Sequence, residues 1–268
     1  MTSKILNYAD SQDNCQMFRF YIYKSESQMV LRYPAPPNSY PNLISFDKKA
    51  YLHNSYSFMG HGILIDPVTI LTSATNIPLS GVFALEGSIF FRMGLNNRNS
   101  SYVNNTYCFN PGFQPKMPGH DSSTKSYNYA LIHLKSPVAF SDKVNLIPLA
   151  NEGQNFTGSC RYASWMKKQW VNSHINSLYF YSDDLEEASL TILPEEKCRQ
   201  AGFPEPTFCT SQVLCGNQDS GAPILCKDNG TEYVYGISSH NMLDLLSPKK
   251  CGRSLSSFHP VSKLNWDW

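Results

Sequence analysis

The sequence predicts an all-β protein built from antiparallel barrels, and three observations carry that expectation. Short runs rich in β-branched and aromatic residues recur along the chain, clusters of Gly, Pro, Asn and Ser break them, and helical patterns are scarce. At 268 residues, with 41% hydrophobic and 16% charged, the chain can bury one substantial core, and all-β chains of this length are often one domain.

Residues 1–28 are polar with no sustained period and read as an N-terminal extension that Cys15 would tether to the body, expected over 29–268. Four prolines make 33–41 a bend or linker. Strands are expected over 56–65, 82–93, 129–134, 160–165, 177–181, 188–192 and 233–238, from their β-branched and aromatic content between turn residues. The polar region 94–127 reads as a surface excursion, open either to a partner site or to a plain variable loop. A short helix is expected around 261–266, and no internal repeat is found.

Composition narrows the function classes. A net charge of +1 gives no electrostatic case for nucleic acid or a membrane surface. No apolar run approaches the roughly 20 residues of a membrane span. Residues 1–17 lack the apolar core of a signal peptide, so the export signal is unseen. Eight cysteines nonetheless suit an oxidising compartment, and Asn-x-Ser/Thr sequons at Asn99, Asn104, Asn155 and Asn229 point to a secreted, extracellular glycoprotein. None of the seven histidines has metal-ligand spacing, the acidic run 183–187 reads as a solvated loop, and neither metal nor cofactor is expected.

Residues 215–226 read CGNQDSGAPILC, and this run resembles the nucleophile loop of the trypsin and chymotrypsin family, with Ser220 in the nucleophile's place. The segment 62–70, GILIDPVTI, is similar to the family's GSLISPxWV without a gap, YNYALIHL at 127–134 is similar to NDIALLKL, and CRYASW at 160–165 resembles CxxxGW. The resemblance spans about 40–266 and implies two six-stranded antiparallel β-barrels of the chymotrypsin type with a short C-terminal helix. It also implies disulfides Cys160–Cys226, Cys198–Cys209 and Cys215–Cys251, which leaves Cys15 and Cys108 for each other. The family disulfide beside the catalytic histidine would need cysteines at Gly60 and Asn76, and both are absent.

The catalytic set is what departs from the family. A serine hydroxyl is a poor nucleophile at neutral pH, so the family places an imidazole beside it and a buried carboxylate behind the imidazole. The stretch matching LTAAHC is LTSATN at 71–76, which puts Thr75 at the base, and Asn128 stands at the carboxylate. A threonine hydroxyl has no lone pair basic enough to take a proton near pH 7. In this family an amide in place of the carboxylate alone lowers turnover by about 10⁴. The oxyanion region, Gln218 and Ser220, carries Gln218 where a glycine is usual, and a Cβ there hinders the turn of the backbone N–H toward a developing oxyanion.

Other parts of the resemblance point the same way. Activation in the family frees an amino group that pairs with the Asp before the serine, here Asp219, yet the residues around Met29 show neither a basic residue directly before the site nor paired glycines after it. In the substrate cleft His240 and Asn241 replace the Trp and Gly that follow Ser239, and Val213 and Leu214 at the pocket base offer no acid to an Arg or Lys side chain. His240 and His61 are read as packing or hydrogen-bonding residues rather than surrogate bases. The expected function is that of a secreted serine protease homologue without catalysis, a binding or regulatory protein (decoy or adaptor) whose extracellular protein partner is an active protease, an inhibitor or a substrate. Two alternatives stay open: a divergent endopeptidase or esterase using Ser220 with another base, and a structural protein keeping only the barrels.

Overall fold

The computed structural model describes residues 32–49, 56–77, 89–98, 106–108, 127–154, 156, 158–165, 167–172, 175–203, 206–211, 219–239 and 255–264. In chain order the strands are β1 (Arg32–Pro34), β2 (Leu43–Lys49), β3 (Tyr56–Asp66), β4 (Thr69–Thr72), β5 (Ile89–Met93), β6 (Thr106–Cys108), β7 (Ala130–His133), β8 (Gly158–Ser164), β9 (Lys167–Asn172), β10 (Ile175–Tyr181) and β11 (Glu186–Ile192). The helix α1 (Glu195–Gln200) follows, then β12 (Phe208–Thr210), β13 (Pro223–Asp228), β14 (Thr231–Ser238) and β15 (Ser256–Pro260).

One barrel closes and the other sheet does not. The strands run β11-β12-β15-β14-β13-β8, and β8 returns to β11 over Gly158–Ser164, which leaves this six-stranded ring without an edge. The other sheet runs β6-β5-β2-β3-β4-β7, and among the described residues no pairing joins β6 to β7. The expectation of two six-stranded barrels is therefore corrected to one closed barrel and one open six-stranded sheet, since closure requires the outer strands to share a ladder.

Other expectations shift as well. The C-terminal helix expected over 261–266 is a single 3₁₀ turn, Val261–Lys263, whose backbone Leu264 N–H returns to Val261 O, and 265–266 lie outside the described residues. The strand expected over 82–93 is described only as Ile89–Met93. The bend at 33–41 begins as β1, which lies antiparallel on β11. The hairpin β9–β10 extends the strand expected at 177–181, and α1 was not anticipated, since six residues are too few to display helical periodicity.

Period-2 alternation explains how short strands build three connected cores. In β3 and β4, Ile63 and Leu71 face the cluster shared by both sheets, while Leu64 and Ile70 fill the interior of the open sheet with Phe46 and Phe91. In β8 and β13, Ala163 and Leu225 face the shared cluster, while Tyr162 and Ile224 enter the closed barrel with Phe208 and Phe258. In Thr69-Ile70-Leu71-Thr72 all four residues are buried, the two apolar ones on opposite faces and the threonine hydroxyls bonded to His133 and to His61 O.

Disulfides join Cys160 of β8 to Cys226 of β13 and Cys198 of α1 to Cys209 of β12, so both tie the closed barrel. The open sheet instead holds a buried ion cluster. Asp47 is fully buried, takes Arg92 Nε at 2.9 Å and the Ser45 hydroxyl on the same oxygen, and has Arg98 at 3.6 Å from its other oxygen. Removing one member of such a cluster strands a charge away from water. Arg92→Met is expected to lower unfolding stability by about 3 kcal/mol, read as a lower urea midpoint with an unchanged slope.

Candidate functional site

The site is built where the turn before β13 passes against β3. Gly221 adopts φ +83°, and a Cβ there would sit 2.1 Å from His61 O, so only glycine fits the approach. The carbonyl of Ser220 accepts the His61 N–H at 3.2 Å, and Gly221 N–H donates to Ser238 O at 2.8 Å. Together these bonds fix the peptide unit that follows the serine.

Thr75 meets this turn from the 3₁₀ turn Ala74–Asn76 that ends β4. Its Oγ1 lies 3.1 Å from Ser220 Oγ, 2.8 Å from Ser73 Oγ and 3.3 Å from Asn128 Nδ2. A hydroxyl has one proton and two lone pairs, so three neighbours use its full capacity. Asn128 is fully buried just before β7 and clasps Thr75, with Oδ1 accepting the Thr75 N–H at 3.0 Å and Nδ2 also donating to Ser239 Oγ at 3.2 Å. The structure thus brings Thr75, Asn128, Ser220 and Ser239 together and adds Ser73, which the motif comparison did not single out.

This cluster is electrically neutral: Ser73, Thr75, Asn128, Ser220 and Ser239 contain no group that titrates near neutrality. It can donate and accept hydrogen bonds, but neither the threonine nor the amide offers a proton acceptor matched to a serine hydroxyl. His61, the nearest imidazole on β3, is fully buried and turned elsewhere. Its Nε2 accepts the Trp165 N–H at 3.1 Å, which requires that nitrogen to be unprotonated, and its ring stacks on Trp165 at 5.6 Å and meets Phe58 edge-on at 4.8 Å.

Asp219 is buried and accepts the Ser164 hydroxyl at 3.1 Å. Its backbone oxygen accepts the Tyr162 and Ser238 hydroxyls and the Ala222 N–H. Burial, then the neighbouring Asp219 charge, pushes the Tyr162 phenol well above its ordinary range, so it stays a donor. The sequence left the partner of Asp219 open, and Ser164 supplies one from the end of β8.

Asn76 carries a role that sequence reasoning missed. Its Nδ2 reaches Ser220 O at 2.8 Å, Thr72 Oγ1 at 3.1 Å and His61 O at 3.2 Å. A Cβ on Gly60 would fall 2.7 Å from the same nitrogen, so the amide lies in space that the glycine leaves free. The joint absence of cysteine at positions 60 and 76 was the available signal.

Several expected residues lie outside the described ones: Val213, Leu214, Cys215, Gln218, His240, Asn241, Cys251, Cys15, Asn99, Asn104 and Asn155. Cys108 is in β6, with its expected partner Cys15 among those outside. Asn229 sits exposed in the turn between β13 and β14. Among the described residues no three His, Cys, Asp or Glu side chains gather as a metal set, and no helix is long and apolar enough to cross a membrane.

The profile described as Trypsin matches residues 32–265. The chain belongs to the trypsin family. Among curated relatives, prostatic glandular kallikrein-6 of Rattus norvegicus is 28% identical over 142 residues, covering 50% of this chain and 49% of that protein. Glandular kallikrein-10 of Rattus norvegicus is 23% identical over 248 residues, covering 85% of this chain and 84% of that protein. The chain therefore spans about half the length of the first relative and most of the second.

The Asn76 clamp generates a local test in this trypsin-family chain. Asn76→Ala is expected to cost about 1–2 kcal/mol, because the carbonyls of Ser220 and His61 each keep one other donor. Amide exchange should accelerate at His61 N–H before it does in β8 or β13, and unchanged exchange there would refute the clamp.

Proposed function

We propose that the chain is a secreted serine protease homologue that does not catalyse and acts by binding, as a decoy or adaptor for an active protease, an inhibitor or a substrate. One observation carries the reading: among the described residues, the side chain within reach of Ser220 Oγ, at 3.1 Å, is the hydroxyl of Thr75, and the group behind it is the neutral amide of Asn128. General-base catalysis needs a proton acceptor poised near the working pH, and an oriented imidazolium needs a buried anion behind it. Thr75 and Asn128 provide neither. Family membership and relatives named as kallikreins support an extracellular proteolytic setting, while the scaffold alone says little about reaction.

A fluorophosphonate probe on the wild type and on Ser220→Ala tests the absence of catalysis. Equal, background labelling of both is expected, and labelling or peptide cleavage that depends on Ser220 would overturn the proposal in favour of a divergent hydrolase. Thr75→His alone is also expected to stay at background, since an amide at position 128 still costs about 10⁴ in turnover. Binding is tested by mixing the purified protein with active family proteases and with their protein inhibitors. A stable complex with either supports the role, and none with both removes it.

A further inference from the structure

Of the four sequons, Asn229-Gly230-Thr231 is the one that lies wholly among the described residues. All three residues are exposed, and they form the tip of the β13–β14 hairpin, where Asp228 pairs with Thr231 across a two-residue loop. Asn229 has φ +48° and Gly230 φ +84°, the pair of positive angles that a two-residue type I′ turn requires and that Asn-Gly supplies at little strain. A Cβ placed on Gly230 would meet nothing within 4 Å, so the space over the tip is open.

We propose that Asn229 carries an N-linked glycan. Transfer would form a bond between Asn229 Nδ2 and the anomeric carbon of the first sugar of a lipid-pyrophosphate-linked oligosaccharide. The bond from that carbon to the phosphate oxygen breaks, the pyrophosphate departs with the electron pair, and Nδ2 gives up one proton. Folding tolerates this addition because the turn's backbone bonds need no side chain of Asn229, and the tip projects away from all three hydrophobic clusters.

The position also orients the molecule. Ser220 precedes β13 and Asn229 follows it, and six strand residues span roughly 20 Å at about 3.3 Å per residue. A glycan at the tip shields the pole of the closed barrel opposite the serine and leaves the pole bearing Ser220, Thr75 and Ser239 open to a protein partner. This inference rests on the proposed secretion, so the experiment separates the two.

The full chain is expressed behind a heterologous export leader in a eukaryotic host, and the secreted protein is treated with a glycan-releasing amidase in heavy-oxygen water. A peptide with heavy-labelled aspartate at position 229 is expected. Thr231→Val, which keeps the Asn-Gly turn and suits a strand position, should lose the mass of one glycan while thermal unfolding and secretion persist. Unmodified asparagine, or aspartate carrying only ordinary oxygen from spontaneous deamidation, overturns the proposal. Whether the protein in its natural source is exported is read separately by fractionation, so a failure of secretion there leaves the result at Asn229 intact.

Discussion

The structure depends on one close backbone approach, that of Gly221 to His61. At 2.1 Å from an added Cβ, the His61 carbonyl leaves no room for any side chain at position 221, and the Ser220 carbonyl is held by the His61 N–H. This contact joins the closed barrel to the open sheet next to the shared apolar cluster of Ile63, Leu71, Trp165 and Leu225. The groups described around Ser220 converge on it from separate elements: Thr75 and Asn76 on the turn after β4, Asn128 on the approach to β7, and Ser239 at the end of β14.

Hydroxyls and amides crowd this contact with the buried Asp219 carboxylate beside them, bonded by Ser164, while two larger ion clusters lie apart from it. Asp47 with Arg92 and Arg98 lies in the open sheet. On the closed barrel, Arg161 grips Glu232 with two bonds at 2.8 and 2.7 Å, reaches Glu187 at 3.2 Å and covers the Tyr40 ring, whose hydroxyl binds Glu187. Paired charges of this kind fix geometry more than they add net stability. At the seam, a carboxylate at position 128 would have accepted from Ser239 and Thr75 alike; the amide instead donates to both hydroxyls while its oxygen accepts the Thr75 N–H, and these bonds close without charge.

Much of this was legible because the informative residues lie in uninterrupted runs. The segment 62–76 aligns without a gap, so Thr75 and Asn76 could be located by counting, and β-branched and aromatic content marked β3 and β7 as strands. Closure of the barrel was not readable in the same way. It depends on whether β6 and β7 share hydrogen bonds, a nonlocal property that no single strand's pattern encodes, and the closed ring was inferred where the structure has an open sheet. The partners of Asp219 and Asn76 were equally hidden, because Ser164 lies 55 positions from Asp219 and Ser220 lies 144 from Asn76, and neither pairing is written in the local sequence. His61 was read as a packing or hydrogen-bonding residue, and which backbone amide its ring accepts could be seen only in three dimensions.

The amide of Asn76 divides the molecule by its response to thiol chemistry. Both disulfides among the described residues lie within the closed barrel, at β8–β13 and α1–β12, whereas the joint between β3 and the serine turn is held there by N–H···O contacts alone. Among the described residues, a reducing agent therefore meets its targets in the closed barrel, at Cys160–Cys226 and Cys198–Cys209. The contacts of the Asn76 amide with Ser220 and His61 contain no bond that a thiol can cleave.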